Sequence, residues 1–204
     1  RANGATNTTD QAVNGDATAT MKLSYVRQCE RAAMVRPTTG TGTYIEPLTG
    51  LPTGAKWRMY VHIDQFIDMA MDTSAPEQFR DFVLAQIQGG KKKDALMGQS
   101  FLFSMTEIIA TDKVPYGVHG STSVAQTNTR RAIFVGKNAG CVAFGRGFTA
   151  PSGDSVPGYK FSQDTTEIGD VTRVAVSLIY GVKKTVFSSV DFGTIVVPTY
   201  VAQS

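Results

Sequence analysis

Few residues of this chain are of a type that does chemistry, and their spacing does not assemble them. Histidine occurs only at His62 and His119, and cysteine only at Cys29 and Cys141. A structural zinc site draws about four clustered ligands, and these residues are scattered with no CxxC pair among them. Neither histidine adjoins a Ser or Cys that it could activate, and no G-x-S-x-G turn is present. No catalytic residue is therefore assigned, and His62 reads as a hydrogen-bonding residue at a strand end. Gly40-Thr41-Gly42 and Gly145-Arg146-Gly147 lack the third glycine and the strand-to-helix setting of a phosphate loop, so both read as flexible loops. The acidic residues form no calcium loop. No cofactor or metal is expected. Both thiols lie on apolar stripes and are expected to be buried and free.

Two basic clusters stand out. Lys91-Lys92-Lys93 follows Gly89-Gly90 at the end of a predicted helix. There the cations suit the negative end of the helix macrodipole, and a contact with acidic groups on a neighbouring subunit or with nucleic acid stays open. Lys183-Lys184 interrupts a predicted strand whose successive residues face opposite sides. An edge strand or an intermolecular sheet contact explains that pair better than a monomer core.

The elements that must position these residues follow from periodicity. Met21, Tyr25, Cys29 and Ala32 share a helical stripe that Pro37 ends. Trp57, Met59 and Val61 alternate with Arg58, Tyr60 and His62 as a strand, and Asp64 is expected to cap a short helix through Met71. Ser74-Ala75-Pro76-Glu77 is a capping box opening a helix whose stripe is Phe79, Phe82, Val83 and Ile87, with Gly89 as the stop. A strand is expected at 101–106, short strands or helix–strand turns at 130–135 and 141–144, and an exposed loop over 145–160. Val174, Val176, Leu178, Tyr180 and Val182 are expected to share one face of a long strand, and a final strand from Phe192 ends at Pro198. Helices come first and strands later, so the fold class is α+β.

Composition narrows the function classes. The 204 residues carry a net charge of +3, too mild to nominate nucleic acid as a ligand. Charged residues make up 18% of the chain, against roughly 25% in a typical soluble domain, which suits surfaces covered by neighbours. Residues 1–20 hold Val13 as their only large aliphatic and read as a surface arm or loop stump. Arg1 stands where a methionine is expected, which suggests processing or a fragment of a longer polypeptide.

The order of several blocks resembles the major capsid proteins of short-tailed bacteriophages. Arg130-Arg131-Ala132-Ile133-Phe134-Val135-Gly136-Lys137-Asn138-Ala139-Gly140-Cys141-Val142-Ala143-Phe144-Gly145 is similar to that family's "RA-hydrophobic-GAQA-hydrophobic-AFG" run. Tyr60-Val61-His62-Ile63-Asp64-Gln65 resembles its strand ending in a His-Pro-x-Gln turn, with Ile63 in place of Pro. Gln88-Gly89-Gly90-Lys91 resembles its "GGK", and Gly181 to Phe187 followed by Asp191-Phe192-Gly193-Thr194 resembles its "G-hydrophobic-KK-x-x-F…DFGT" ending. Lys137-Asn138 departs from the family's Ala-Gln.

The resemblance implies an HK97-type fold with an axial and a peripheral domain, the N-terminal arm and E-loop lying upstream of Arg1. It places residues 1–19 in an arm or loop stump and 20–54 in the spine-helix region with its connection. Residues 55–165 fall in the axial domain, and 166–204 in the return to the peripheral domain. It implies a shell protein assembling in the host cytoplasm into hexamers and pentamers of an icosahedral head around double-stranded DNA. Implied partners are further copies, portal, scaffolding and cement proteins, and DNA without sequence specificity. Lys91, Lys92, Lys93, Lys183 and Lys184 become candidate inter-subunit contacts. The competing reading is a phage or bacterial surface-binding module without catalytic activity.

Overall fold

The computed structural model describes residues 9–35, 45–51, 54–72, 100–149, 155–157, 159–166, 171–187 and 190–201. They fall into two compact units, Arg1–Ala139 with Phe187–Ser204, and Gly140–Val186. The first opens with helices α1 (Asp10–Asn14) and α2 (Leu23–Met34), strand β1 (Trp57–Val61) and helix α3 (Ile63–Met71). It continues with β2 (Ser100–Phe103), β3 (Thr106–Ala110), β4 (Tyr116–Val118) and β5 (Ala125–Val135). The second unit holds β6 (Gly140–Phe144), β7 (Arg146–Thr149), β8 (Ser155–Pro157), β9 (Tyr159–Thr166), β10 (Val171–Leu178) and β11 (Tyr180–Lys184). Short strands β12 (Val186–Phe187) and β13 (Val190–Asp191) precede β14 (Thr194–Tyr200).

The first unit is built on a six-stranded mixed sheet ordered β14-β5-β1-β3-β2, with β4 also paired to β5. Register aligns Ile195, Phe134, Met59, Ile108 and Phe101 in one row across it. That row faces the core, where Leu23, Val26 and Cys29 of α2 and Met69 of α3 cover it. Burying each such side chain contributes about 1.5–3 kcal/mol, so this face supplies the main driving force for the unit. The expected strand at 57–61 is present with its alternation, and the expected helix is present as Leu23–Met34, with Tyr25 and Cys29 buried as expected but Met21 lying before the helix and Ala33 buried in place of the exposed Ala32.

Several expectations change. The 101–106 alternation is a hairpin, because Ser104 adopts a left-handed φ of 53° and turns the chain between β2 and β3. Buried Glu30 of α2 fixes that turn, accepting from the Met105 backbone N–H at 3.0 Å and the Thr106 hydroxyl at 2.8 Å. The last strand runs through Pro198 to Tyr200, since β14 is an edge strand and tolerates a residue without an N–H. Residues 9–20 are docked, not a free arm or stump. Thr9 caps α1, Val13 is fully buried, and the Asp10 carboxylate accepts from the Val118 N–H at 2.9 Å and pairs with Arg131. Burial of one aliphatic and one paired charge substitutes for the apolar stripe that this segment lacks.

In the second unit the expected loop over 145–160 carries β7, β8 and the start of β9. The expected long strand breaks at Ile179, so that β10 pairs with β9 and β11 with β6. At the break the Gly145 N–H donates to the Ile179 carbonyl at 2.8 Å. A Cβ at Gly145 would lie 2.7 Å from Ile179 Cγ2, so only glycine permits that approach. The unit boundaries, after Ala139 and after Val186, differ from the expected divisions at 54/55 and 165/166. The expected helix at 74–89 lies outside the described residues.

Candidate inter-subunit surfaces

The blocks that looked like sequence motifs turn out to be joints of the fold. His62 is the N-cap of α3, displacing Asp64 from that role. Its Nδ1 accepts from the Asp64 N–H at 3.3 Å, and Gln65 Oε1 accepts from the His62 N–H at 2.7 Å. Fully buried Gln65 also donates through Nε2 to the Arg130 carbonyl at 3.2 Å and to Thr199 Oγ1 at 2.5 Å, tying α3 to β5 and β14. Ile63 sits at the first helical position, where proline is also well suited, so its difference from the family run leaves the turn intact.

The blocks at 136–139 and 191–194 meet one another. The Gly136 N–H donates to the Gly193 carbonyl at 2.9 Å. Gly193 adopts φ 72°, and a Cβ there would lie 2.8 Å from the Lys137 carbonyl oxygen. Asn138 occupies the left-handed region at φ 62°, a conformation Asn tolerates better than most side chains. These residues position backbone; none is arranged to react.

The remaining chemical candidates are structural too. His119 Nδ1 accepts from the Ser121 and Thr122 N–H groups at 3.2 Å each, closing a turn. Cys29 is buried, and loss of solvent pushes its thiol pKa up to about 12. Cys141 is exposed, contrary to expectation, because β6 has an uncovered surface. Both thiols are free. Among the described residues no group of three His, Cys, Asp or Glu side chains could hold a metal ion. A depression of about 370 Å³ is lined by Tyr60, Ile109, Ile133, Val114 and Lys113, and the Lys113 ammonium pairs with Asp112 at 3.0 Å.

What the surface does offer is apolar rows. In the β6–β11 ribbon, register places Phe144 opposite Tyr180, Val142 opposite Val182 and Gly140 opposite Lys184. Opposed residues in an antiparallel pair share a face. One face therefore carries Phe144, Tyr180, Val142 and Val182, between 57% and 69% exposed, with Lys184 at its end. Cys141 and Lys183 share the other face. Val174, Val176 and Leu178 form a second exposed row on β10.

A third row was missed by sequence reasoning. Ile63, Ile67 and Met71 lie at four-residue spacing along the outside of α3, between 40% and 73% exposed. Half-buried Asp64 and Asp68 run beside them. The signal was present: α3 has more apolar residues than the face bearing Phe66 and Met69 can bury. The candidate contacts Lys183 and Lys184 are thus exposed on β11, whereas Lys91, Lys92 and Lys93 lie outside the described residues.

The model of the phage capsid protein family matches residues 3–203, and the chain belongs to that family. Among solved structures it is similar to the capsid of Ralstonia phage GP4, with a TM-score of 0.63 and 20% sequence identity. The match covers 99% of this chain and 52% of that one, so the chain spans about half the length of its structural neighbour. No curated protein matches.

Proposed function

We propose that this chain builds the shell of a tailed-phage head, as hexamers and pentamers of itself around double-stranded DNA. The observation that carries the reading is the capsid-family match over residues 3–203. In this reading the fold is HK97-type. The chain resides in the virion after assembly in the host cytoplasm, and portal, scaffolding and cement proteins are its further partners. Its role is structural, without catalysis. Exposed apolar rows on weakly charged surfaces favour this over a monomeric surface-binding module, since soluble monomers rarely expose contiguous apolar patches beyond a few hundred Å². Protein inventory of purified virions tests it. The chain is expected as the most abundant component, and a minor share or absence overturns the reading.

A further inference from the structure

We infer that residues 9–20 are a detachable strap. They open as one unit while the sheet core stays closed, and when docked they keep the edges of β4 and β14 from pairing with a strand of a second copy. The inference goes beyond the shell role and does not depend on it.

Backbone donors that strand pairing leaves over are taken by this segment at three places. The Val118 N–H on β4 donates to the Asp10 carboxylate at 2.9 Å. Past the end of β14, Val201 still donates to the Asn128 carbonyl, but the Asn128 N–H goes to Asn14 Oδ1 at 2.9 Å. The Tyr200 N–H on β14 donates to the Ala19 carbonyl at 2.8 Å. Among the described residues β14 ends the sheet, and two residues earlier on the same side Pro198 offers no N–H. Proline and strap therefore silence successive donors along one edge. Open edge donors are a template for a strand from another chain, and in a solution of this protein those strands belong to further copies.

The strap's hold is separate from the core. The buried apolar cluster starts at Met21 and includes none of residues 9–20. Thr129 and Arg131, which bond Asp10, alternate along β5 with the core residues Ala132 and Phe134. Helix α1 thus lies against the face of β5 opposite to α2 and α3. Val13 is the one large apolar side chain that the segment buries, and its hold otherwise centres on the buried Asp10–Arg131 pair. A Cβ on Gly117 would lie 3.0 Å from Asp10 Cβ, so β4 is bared where that carboxylate sits. Segments with few buried apolar contacts are the ones that open locally.

Native-state amide hydrogen exchange of the full chain tests the strap, and sedimentation velocity tests the edge. Asn14→Ala removes one acceptor outside the core. It is expected to speed exchange at Val118, Asn128 and Tyr200 together by about fivefold, the worth of one hydrogen bond, with Met59 and Phe134 unchanged. Acceleration at Asn128 alone would mean three independent contacts. Equal acceleration at Met59 and Phe134 would mean that the segment opens only with the whole sheet. Either result overturns the strap. Arg131→Ala removes the guanidinium that balances a buried carboxylate and is expected to speed the same three amides by about a hundredfold or more. That variant is also expected to sediment faster than the parent chain at equal concentration. Where it fails to fold, Asp10→Asn, which keeps an acceptor for Val118 and loses the charge pair, serves for both readings. An opened strap in a chain that sediments as the parent does overturns the edge-guarding role.

Discussion

Strand β1 and the stretch of β10 and β11 carry the same kind of alternation and meet opposite fates. Trp57, Met59 and Val61 are buried against α2 and α3, whereas Val174, Val176, Leu178, Tyr180 and Val182 are all exposed. In the first unit the sheet has six strands and helices on its core face. In the second, the strands among the described residues pair in twos. Alternation thus identifies which residues share a face, and a covering layer decides whether that face is a core. A two-stranded ribbon is marginal alone in water, and under the proposed shell role the exposed rows of the second unit are where a neighbour would pack.

Thiol labelling breaks that comparison open most sharply. Cys29 belongs to the covered region and Cys141 to the uncovered one. Native unassembled chain is expected to label Cys141 at once and Cys29 at least about 10³-fold more slowly, because access to Cys29 requires opening of a core whose folding constant is of that size or larger. In denaturant both should react. Equal native rates would place the two regions on the same footing.

Core truncation comes next. Phe134→Ala empties a fully buried position and is expected to cost about 3–5 kcal/mol in denaturant unfolding. Phe144→Ala, on the exposed ribbon face, is expected to stay within about 0.5 kcal/mol while weakening assembly. A large loss of chain stability from Phe144→Ala would mean that the ribbon is covered within its own chain.

Added methyls sharpen the contrast. A Cβ on Gly136 would lie 2.2 Å from Ile45 Cγ2 and 2.6 Å from the Glu46 carbonyl oxygen, whereas one on Gly181 meets nothing within 4 Å. Gly136→Ala is therefore expected to lower stability by about 1–3 kcal/mol, and Gly181→Ala to leave the melting temperature unchanged. The smallest effect concerns pH. Asp68 has a raised carboxyl pKa, so the folded chain holds that proton more tightly than the unfolded chain. Its charge costs no stability below the unfolded pKa, and the cost grows as pH rises through the folded value. Asp68→Asn should equal the parent in acid and exceed it slightly at neutral pH, as followed by melting of unassembled chain across that range.

The sequence by itself determined the local elements whose signal is contained in neighbouring residues. The α2 stripe, the β1 alternation and the glycine-marked turns are of that kind, as is the order of blocks by which the family was legible. Its misreadings share one cause. Asp64 was a plausible cap, but His62 precedes a Gln65 that can reach back to its N–H, and the reciprocal pair fixes the helix start. The segment at 9–20 was too poor in apolar residues to suggest structure, and its order comes from Arg131, Asn128 and Val118, more than a hundred positions away. The break at Ile179 comes from Gly145, and burial of Glu30 from the turn at Met105 and Thr106. Tertiary structure alone decided which apolar rows are covered, because burial depends on what packs from elsewhere in the chain. A side chain's own neighbours in sequence set its direction and nothing above it.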